Sequence, residues 1–195
     1  MTKKLRDYST LTFDCYGIMV DWESGIWDAL QPLIMGNRRK DITREIALAA
    51  FARVETAQQL STPKALYPEL LRSVHKMTAF EFRMDSNDVL DQEFGSSVYC
   101  WPAFPDSADA LGILKEHFKL VILSNVHRVG FAAANKKFGV EFDAIYTAED
   151  VGRYKPNNAN FDYLLMNIKS GLGIDPNQIL HTAQSLDRLT GAREQ

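Results

Sequence analysis

The feature that most constrains this chain is an alternation of hydrophobic period over its second half. From residue 106 to 182, short aliphatic runs alternate with segments of helical spacing. Ala108, Leu111, Leu114 and Phe118 mark a helix that leads into a strand over 119–123. A helix over about 126–138 feeds a short strand at 144–146, and Phe161, Leu164, Leu165 and Ile168 share one face of a helix before a last strand at 178–182. Strands separated by helix-length segments predict parallel pairing, because a parallel neighbour is reached only by a crossover, and the crossover is the helix. The expected fold class is α/β, a doubly wound parallel sheet. Thr10–Phe13, rich in β-branched and aromatic residues, supplies one further strand near the N-terminus.

Between that first strand and the alternating region the period is helical throughout. Trp22, Ile26, Ala29, Leu30 and Leu33 fall on one helix face, and Gly36-Asn37 ends it. Residues 41–60 carry a stripe of Ile46, Ala49, Ala50, Ala57 and Leu60. Leu66, Leu70, Val74 and Met77 mark a third helix, residues 85–99 accommodate a fourth, and Pro102 and Pro105 punctuate the boundary. The expected organisation is a discontinuous α/β core, 1–19 and 102–195, carrying an all-helical four-helix insert at 20–101. Arg53 lies on the stripe of the second helix. It is either a side chain that snorkels out at the stripe's edge or one aimed at an anion, since an inward charge is costly unless paired.

Composition excludes several function classes. A net charge of −3 over 195 residues gives no electrostatic case for nucleic acid or for an anionic membrane surface. No apolar run approaches the ~20 residues that span a bilayer, and Met-Thr-Lys-Lys is not followed by a leader-like hydrophobic segment. Cys15 and Cys100 form neither a metal-ligand spacing nor a disulfide framework, so a reducing, cytoplasmic location is expected.

Chemistry-bearing residues recur just past the strand ends. Asp14 follows the first strand, with Gly17 three residues later to let the chain turn; Ser124-Asn125 follow the strand at 119–123; Thr182 and Asp187 stand at the end of the last. Lys155, followed by Pro156, occupies a loop before a helix. In open α/β sheets ligands bind in the crevice outside the carboxyl ends of the strands. One crevice edge would thus gather a carboxylate nucleophile, neutral hydrogen-bond donors, a cation and a second carboxylate. A carboxylate nucleophile divides a substitution into two steps through an ester. Each signal has a bland alternative: Asp14 as a turn residue, Ser124-Asn125 as a helix cap, Lys155 as solvated surface.

Taken in order, Phe13-Asp14-Cys15-Tyr16-Gly17, Leu123-Ser124-Asn125, Tyr154-Lys155-Pro156 and the stretch from Thr182 to Asp187 resemble the motifs of the haloacid dehalogenase superfamily, in particular its type II (L-2-haloacid) dehalogenases. The resemblance implies a Rossmann-like core with a four-helix cap. It implies attack by Asp14 on C2 of a 2-haloalkanoate, halide loss with inversion, and hydrolysis of the ester by water that Asp187 orients. Lys155 would keep Asp14 ionised, Ser124 and Asn125 would hold the substrate carboxylate beside Tyr16, and Arg53 would bind carboxylate or receive halide. The partner implied is a small carboxylate substrate. Phosphatases of the superfamily place a second Asp two residues after the nucleophile, where this chain has Tyr16, and Thr182 stands where metal-dependent relatives tend to have an acid. No metal and no other cofactor is therefore expected.

Three positions depart from the dehalogenase pattern. Ile18 replaces a common Thr, Phe161 replaces a common Tyr, and family members continue past the final acidic motif through another strand and helix. The strand at 178–182 is then expected at a sheet edge, open to pairing with a second copy as a homodimer. A phosphate-ester hydrolase of the same superfamily, and a catalytically degenerate binding protein on this scaffold, are the competing readings.

Overall fold

The computed structural model describes residues 3–184, and the chain divides into two compact units. One is built from the described parts of Met1–Val20 and Ala103–Gln195, the other is Asp21–Pro102.

The first unit holds a four-stranded parallel sheet: β1 (Thr10–Phe13), β2 (Lys119–Ser124), β3 (Ala144–Thr147) and β4 (Ile179–Thr182), in the order β3-β2-β1-β4. The chain winds from β1 through β2 to β3, then crosses back to place β4 on the other side of β1. The direction of winding reverses at β1, the position where open α/β sheets leave a crevice. Register places Phe13 level with Ile122 and with Thr182, so the carboxyl ends of β1, β2 and β4 terminate together. All four β1 residues are buried, as are Leu120 through Ser124 of β2, which is why these strands read as unbroken apolar or β-branched runs rather than alternating ones. The connecting helices are α5 (Ser107–Lys115), α6 (Arg128–Asn135), the single turn α7 (Ala148–Val151) and α8 (Ala159–Leu172), and all four follow the helical unit in sequence. On one sheet face Val121 and Leu123 pack with Phe161, Leu164, Ile168 and Ile174. That burial follows from period matching: alternate residues of β2 meet the one apolar face of α8.

The second unit comprises α1 (Trp22–Gly36), α2 (Arg44–Ser61), α3 (Tyr67–Glu81) and α4 (Asp88–Ser96), closed by a 3₁₀ turn at Ser97–Tyr99. Side chains cap three of them: Asp21 accepts from Ser24 N, Thr43 from Ile46 N, and Asn87 from Val89 N and Leu90 N. In α1, Gly25 admits Trp101; a Cβ there would lie 2.3 Å from its Cγ. The stripe expected on α2 is displaced by one residue. Ala47, Ala50, Phe51 and Val54 are buried, whereas Ile46 is 48% and Leu60 78% exposed. Phe51, which lies between Trp22 and Phe94 with ring centroids 6.1 and 6.2 Å away, sets that rotation, because the largest ring takes the interior. Met77 of α3, also expected inside, is 44% exposed.

Among the described residues, no helix is long and apolar enough to cross a membrane. β4 is the last strand on its side of the sheet among those residues.

Candidate active site

Asp14 leaves the carboxyl end of β1 almost fully buried, its backbone N–H donating to Thr182 O at 2.9 Å. The chain then turns sharply: Met19 N and Val20 N both donate to Cys15 O, and Gly17 N donates to Val20 O. Gly17 sits at φ +90°, a backbone conformation that L side chains rarely adopt, so the turn needs glycine. The turn brings Cys15 N–H back onto Asp14 Oδ1 at 2.8 Å.

Lys155 enters from the loop after α7. Its Nζ lies 2.9 Å from Asp14 Oδ1 and donates to Leu123 O at the end of β2, with both side chains of the pair buried (0% and 1% exposed). Opposite charges removed together from water attract strongly, but their desolvation is repaid only when hydrogen bonds complete the shell. Leu123 O and Cys15 N–H are part of that shell. Asn125 fixes Lys155 from the other side: Lys155 N donates to Asn125 Oδ1 at 2.6 Å, and Asn125 Nδ2 donates to Lys155 O at 3.2 Å. The resemblance implied a substrate contact for Asn125; the geometry gives its amide a positioning task first, with a second N–H on Nδ2 still to donate. Ser124 is buried at the end of β2, its Oγ accepting from Val126 N at 3.3 Å.

The neighbours of Asp14 stay neutral. Burial pushes the Cys15 thiol well above its ordinary range, the Asp14 charge adds to this, and Lys155 opposes it. Burial likewise raises the Tyr16 hydroxyl, helped by Cys15 and Asp14. Asp14, Lys155, Ser124, Asn125 and Tyr16 thus belong to one cluster at the strand ends. Arg53 belongs to the helical unit, where its side chain is 62% exposed and its guanidinium pairs with Glu81 of α3. Asp187 lies outside the described residues.

One residue of this region escaped the sequence reading. His181 of β4 lies beside Thr12 in the sheet, and its Nδ1 is 2.8 Å from Thr12 Oγ1. Its ring meets Phe161 edge-on at 5.7 Å. Burial, reinforced by the Lys155 charge, pushes its pKa down to about 4, so the ring is neutral near pH 7. The available signal was a histidine at an inward-facing position of an apolar strand.

A divalent cation would ask for several hard oxygen ligands. Among the described residues no three His, Cys, Asp or Glu side chains gather to hold one, and Asp14 Oδ1 is committed to a lysine.

A parallel α/β sheet with a buried Asp–Lys pair at its switch point defines a class of hydrolase, and sequence comparison gives its family. The model of haloacid dehalogenase-like hydrolases matches residues 8–182, and the chain belongs to that family. No curated protein sequence matches the chain. Solved structures share its fold at low identity. A dehalogenase is similar at 20% identity with TM-score 0.78, over 96% of this chain and 81% of its own. The L-2-haloacid dehalogenase of Xanthobacter autotrophicus with chloropropionic acid covalently bound is similar at 18% and 0.77, over 96% and 74%. YfnB of Bacillus subtilis, a HAD-hydrolase by description and solved with magnesium, is similar at 19% and 0.77, over 96% and 85%.

Proposed function

We propose that this hydrolase displaces halide from a 2-haloalkanoate through an ester on Asp14. The observation that carries the reading is the buried Asp14–Lys155 pair at the carboxyl end of the central strand, without a second carboxylate two residues on, where Tyr16 stands. In the first step a carboxylate oxygen of Asp14 bonds to C2 as the carbon–halogen bond breaks, halide leaves with the electron pair, and C2 inverts. Lys155 holds the carboxylate ionised and oriented while the substrate, itself an anion, is bound. In the second step water adds at the Asp14 carbonyl carbon, the ester C–O bond on the enzyme side breaks, and a 2-hydroxyalkanoate departs. Ser124 and the remaining Asn125 N–H are assigned to the substrate carboxylate, Tyr16 to the wall of the site, and Asp187 to the water. The chloropropionic acid bound covalently in a neighbour of the same fold supports this assignment. The helical unit is read as the family's cap.

The test is halide release from L-2-chloropropionate, run beside a magnesium-supplemented phosphate-ester assay. Turnover should survive EDTA, and Asp14→Asn should lower it by about a thousandfold or more. After one turnover in ¹⁸O water the label should sit on the peptide containing Asp14. Label found only in product would remove the ester mechanism, and magnesium-dependent phosphate release would replace the whole reading with a phosphatase.

A further inference from the structure

Helix α2 carries two apolar stripes. One, formed by Ala47, Ala50, Phe51 and Val54, is buried inside the helical unit. The other is formed by Ile46, Ala49, Ala57 and Leu60, and all four of these residues are exposed. At 3.6 residues per turn they share one narrow helix face with Arg53. The pattern is symmetric about Arg53: an alanine stands four residues to either side of it, and a large aliphatic residue seven. Beside this stripe α3 adds Met77, Phe80, which is 86% exposed, and Glu81, whose carboxylate pairs with the Arg53 guanidinium. Arg53, Val54, Ala57, Met77, Phe80 and Glu81 line one groove between the two helices. Exposed apolar residues are ordinary when scattered singly; a contiguous patch of them with polar groups beside it marks an interaction surface.

We propose that this face is the contact surface for a second copy of the chain, the two α2 helices packing antiparallel about a two-fold axis beside Arg53. A two-fold contact is isologous: where residue i touches residue j, j touches i. An antiparallel α2 pair centred at Arg53 meets that condition, because it sets Ile46 against Leu60 of the second copy and Ala49 against its Ala57. The alanines let the helix axes approach closely. The two Arg53–Glu81 pairs then form a ring of alternating charge, so neither guanidinium is desolvated without a carboxylate. A polar residue at one central position of an apolar seam also fixes the register of the helices. A surface made for an acidic or a basic partner carries one sign of charge; this one carries both among its apolar residues, and so complements itself. Ile46, Leu60, Met77 and Phe80 expose roughly 500 Å² between them, and with the alanines, Arg53 and Glu81 each copy approaches the ~800 Å² that a standard interface takes from one partner. The inference does not rest on the chemistry assigned to Asp14, and association is read without turnover.

The experiment is sedimentation equilibrium of the full chain, carried about tenfold above a dimer Kd on the order of 10 µM, the weak end for an interface of this size. The wild-type chain should dimerise over that range. Leu60→Lys and Phe80→Lys, both at exposed positions, should keep the wild-type circular dichroism spectrum and raise Kd by about a hundredfold. Arg53→Glu brings four carboxylates together and should do the same. Adding Glu81→Arg to Arg53→Glu restores the alternating ring and should return Kd to within about tenfold of the wild type. A wild-type chain that stays monomeric, a dimer that survives Leu60→Lys because it is built elsewhere, on β4 for example, or a charge swap that fails to restore association would each overturn the proposal. Phe80→Lys and the charge swap decide it even where Leu60→Lys fails to fold.

Discussion

In the α/β unit Asp14 is buried with Lys155 Nζ at 2.9 Å; in the helical unit Asp91 is buried with His75 Nδ1 at 2.6 Å. The first pair joins residues from opposite ends of the chain, through a strand end and a loop. The second joins residues only 16 apart, on the consecutive helices α3 and α4. Asp91 is also given local partners: Ser86 Oγ donates to it at 2.9 Å, and Lys76 Nζ is 3.5 Å away. His75 stacks against Phe94 with centroids 4.7 Å apart, and burial outweighs Asp91 in setting its pKa below the ordinary value. A neutral imidazole therefore donates to the Asp91 carboxylate. The contrast separates two uses of a buried carboxylate. Packed between neighbouring helices, it is a polar staple. At the end of a parallel strand, against a full cation, it stands at the crevice edge where open α/β sheets take their ligands.

That distinction fails or sharpens under four changes, given from the largest expected effect to the smallest. Lys155→Met leaves the Asp14 charge buried without its cation, and should cost about 3–5 kcal/mol in denaturant unfolding as well as turnover. A loss below 1 kcal/mol would mean that Asp14 is not charged in the folded protein.

His181 gives a pH signature to the same unit. Its folded pKa, about 4, lies below the usual 6.5, so the unfolded chain takes up the proton more readily. The stability it contributes is complete above about pH 6.5 and is lost as pH falls toward 4, on the order of 3 kcal/mol in all. Urea midpoints between pH 7 and 4 should fall less steeply in His181→Gln than in the wild type; parallel curves would contradict the neutral, buried ring.

Asp91→Ala removes a carboxylate whose principal partner is neutral, so the loss is that of unpaired donors, about 1–3 kcal/mol. Turnover per folded molecule should be unchanged, and a drop in kcat without loss of stability would move Asp91 from staple to catalysis. Arg53→Ala breaks an exposed pair and should change stability by less than about 1 kcal/mol. Measured kcat/KM for L-2-chloropropionate should also stay within a few-fold; a larger fall would place Arg53 on the substrate.

How much of this was legible before the structure depended on the range of each interaction. Helix positions and the alternation after residue 106 were readable because period is a local property, and each strand was found within a residue or two of its place. The buried face of α2 was misread because Ile46 and Leu60 outweigh alanines in any count of apolar residues, yet packing around Phe51 decides which side turns inward. Arg53 could be placed on a helix but not given its partner, since Glu81 lies on the next helix. His181 was passed over because its meaning depends on Thr12, which lies alongside only once β4 has crossed to the far side of β1.

The sequence by itself determined that Asp14 ends a strand, that Gly17 must follow to turn the chain, and that the sheet is parallel, because sterics and hydrophobic period act over a few residues. Only the tertiary structure decided that Lys155 Nζ reaches Asp14, that Asn125 holds the Lys155 backbone rather than standing apart from it, and that His181 is hydrogen-bonded to Thr12. Those facts depend on strand order and on the simultaneous burial of groups remote in sequence. A buried charge or ring takes whatever partner the fold brings within 3 Å, and no local pattern records which one that is.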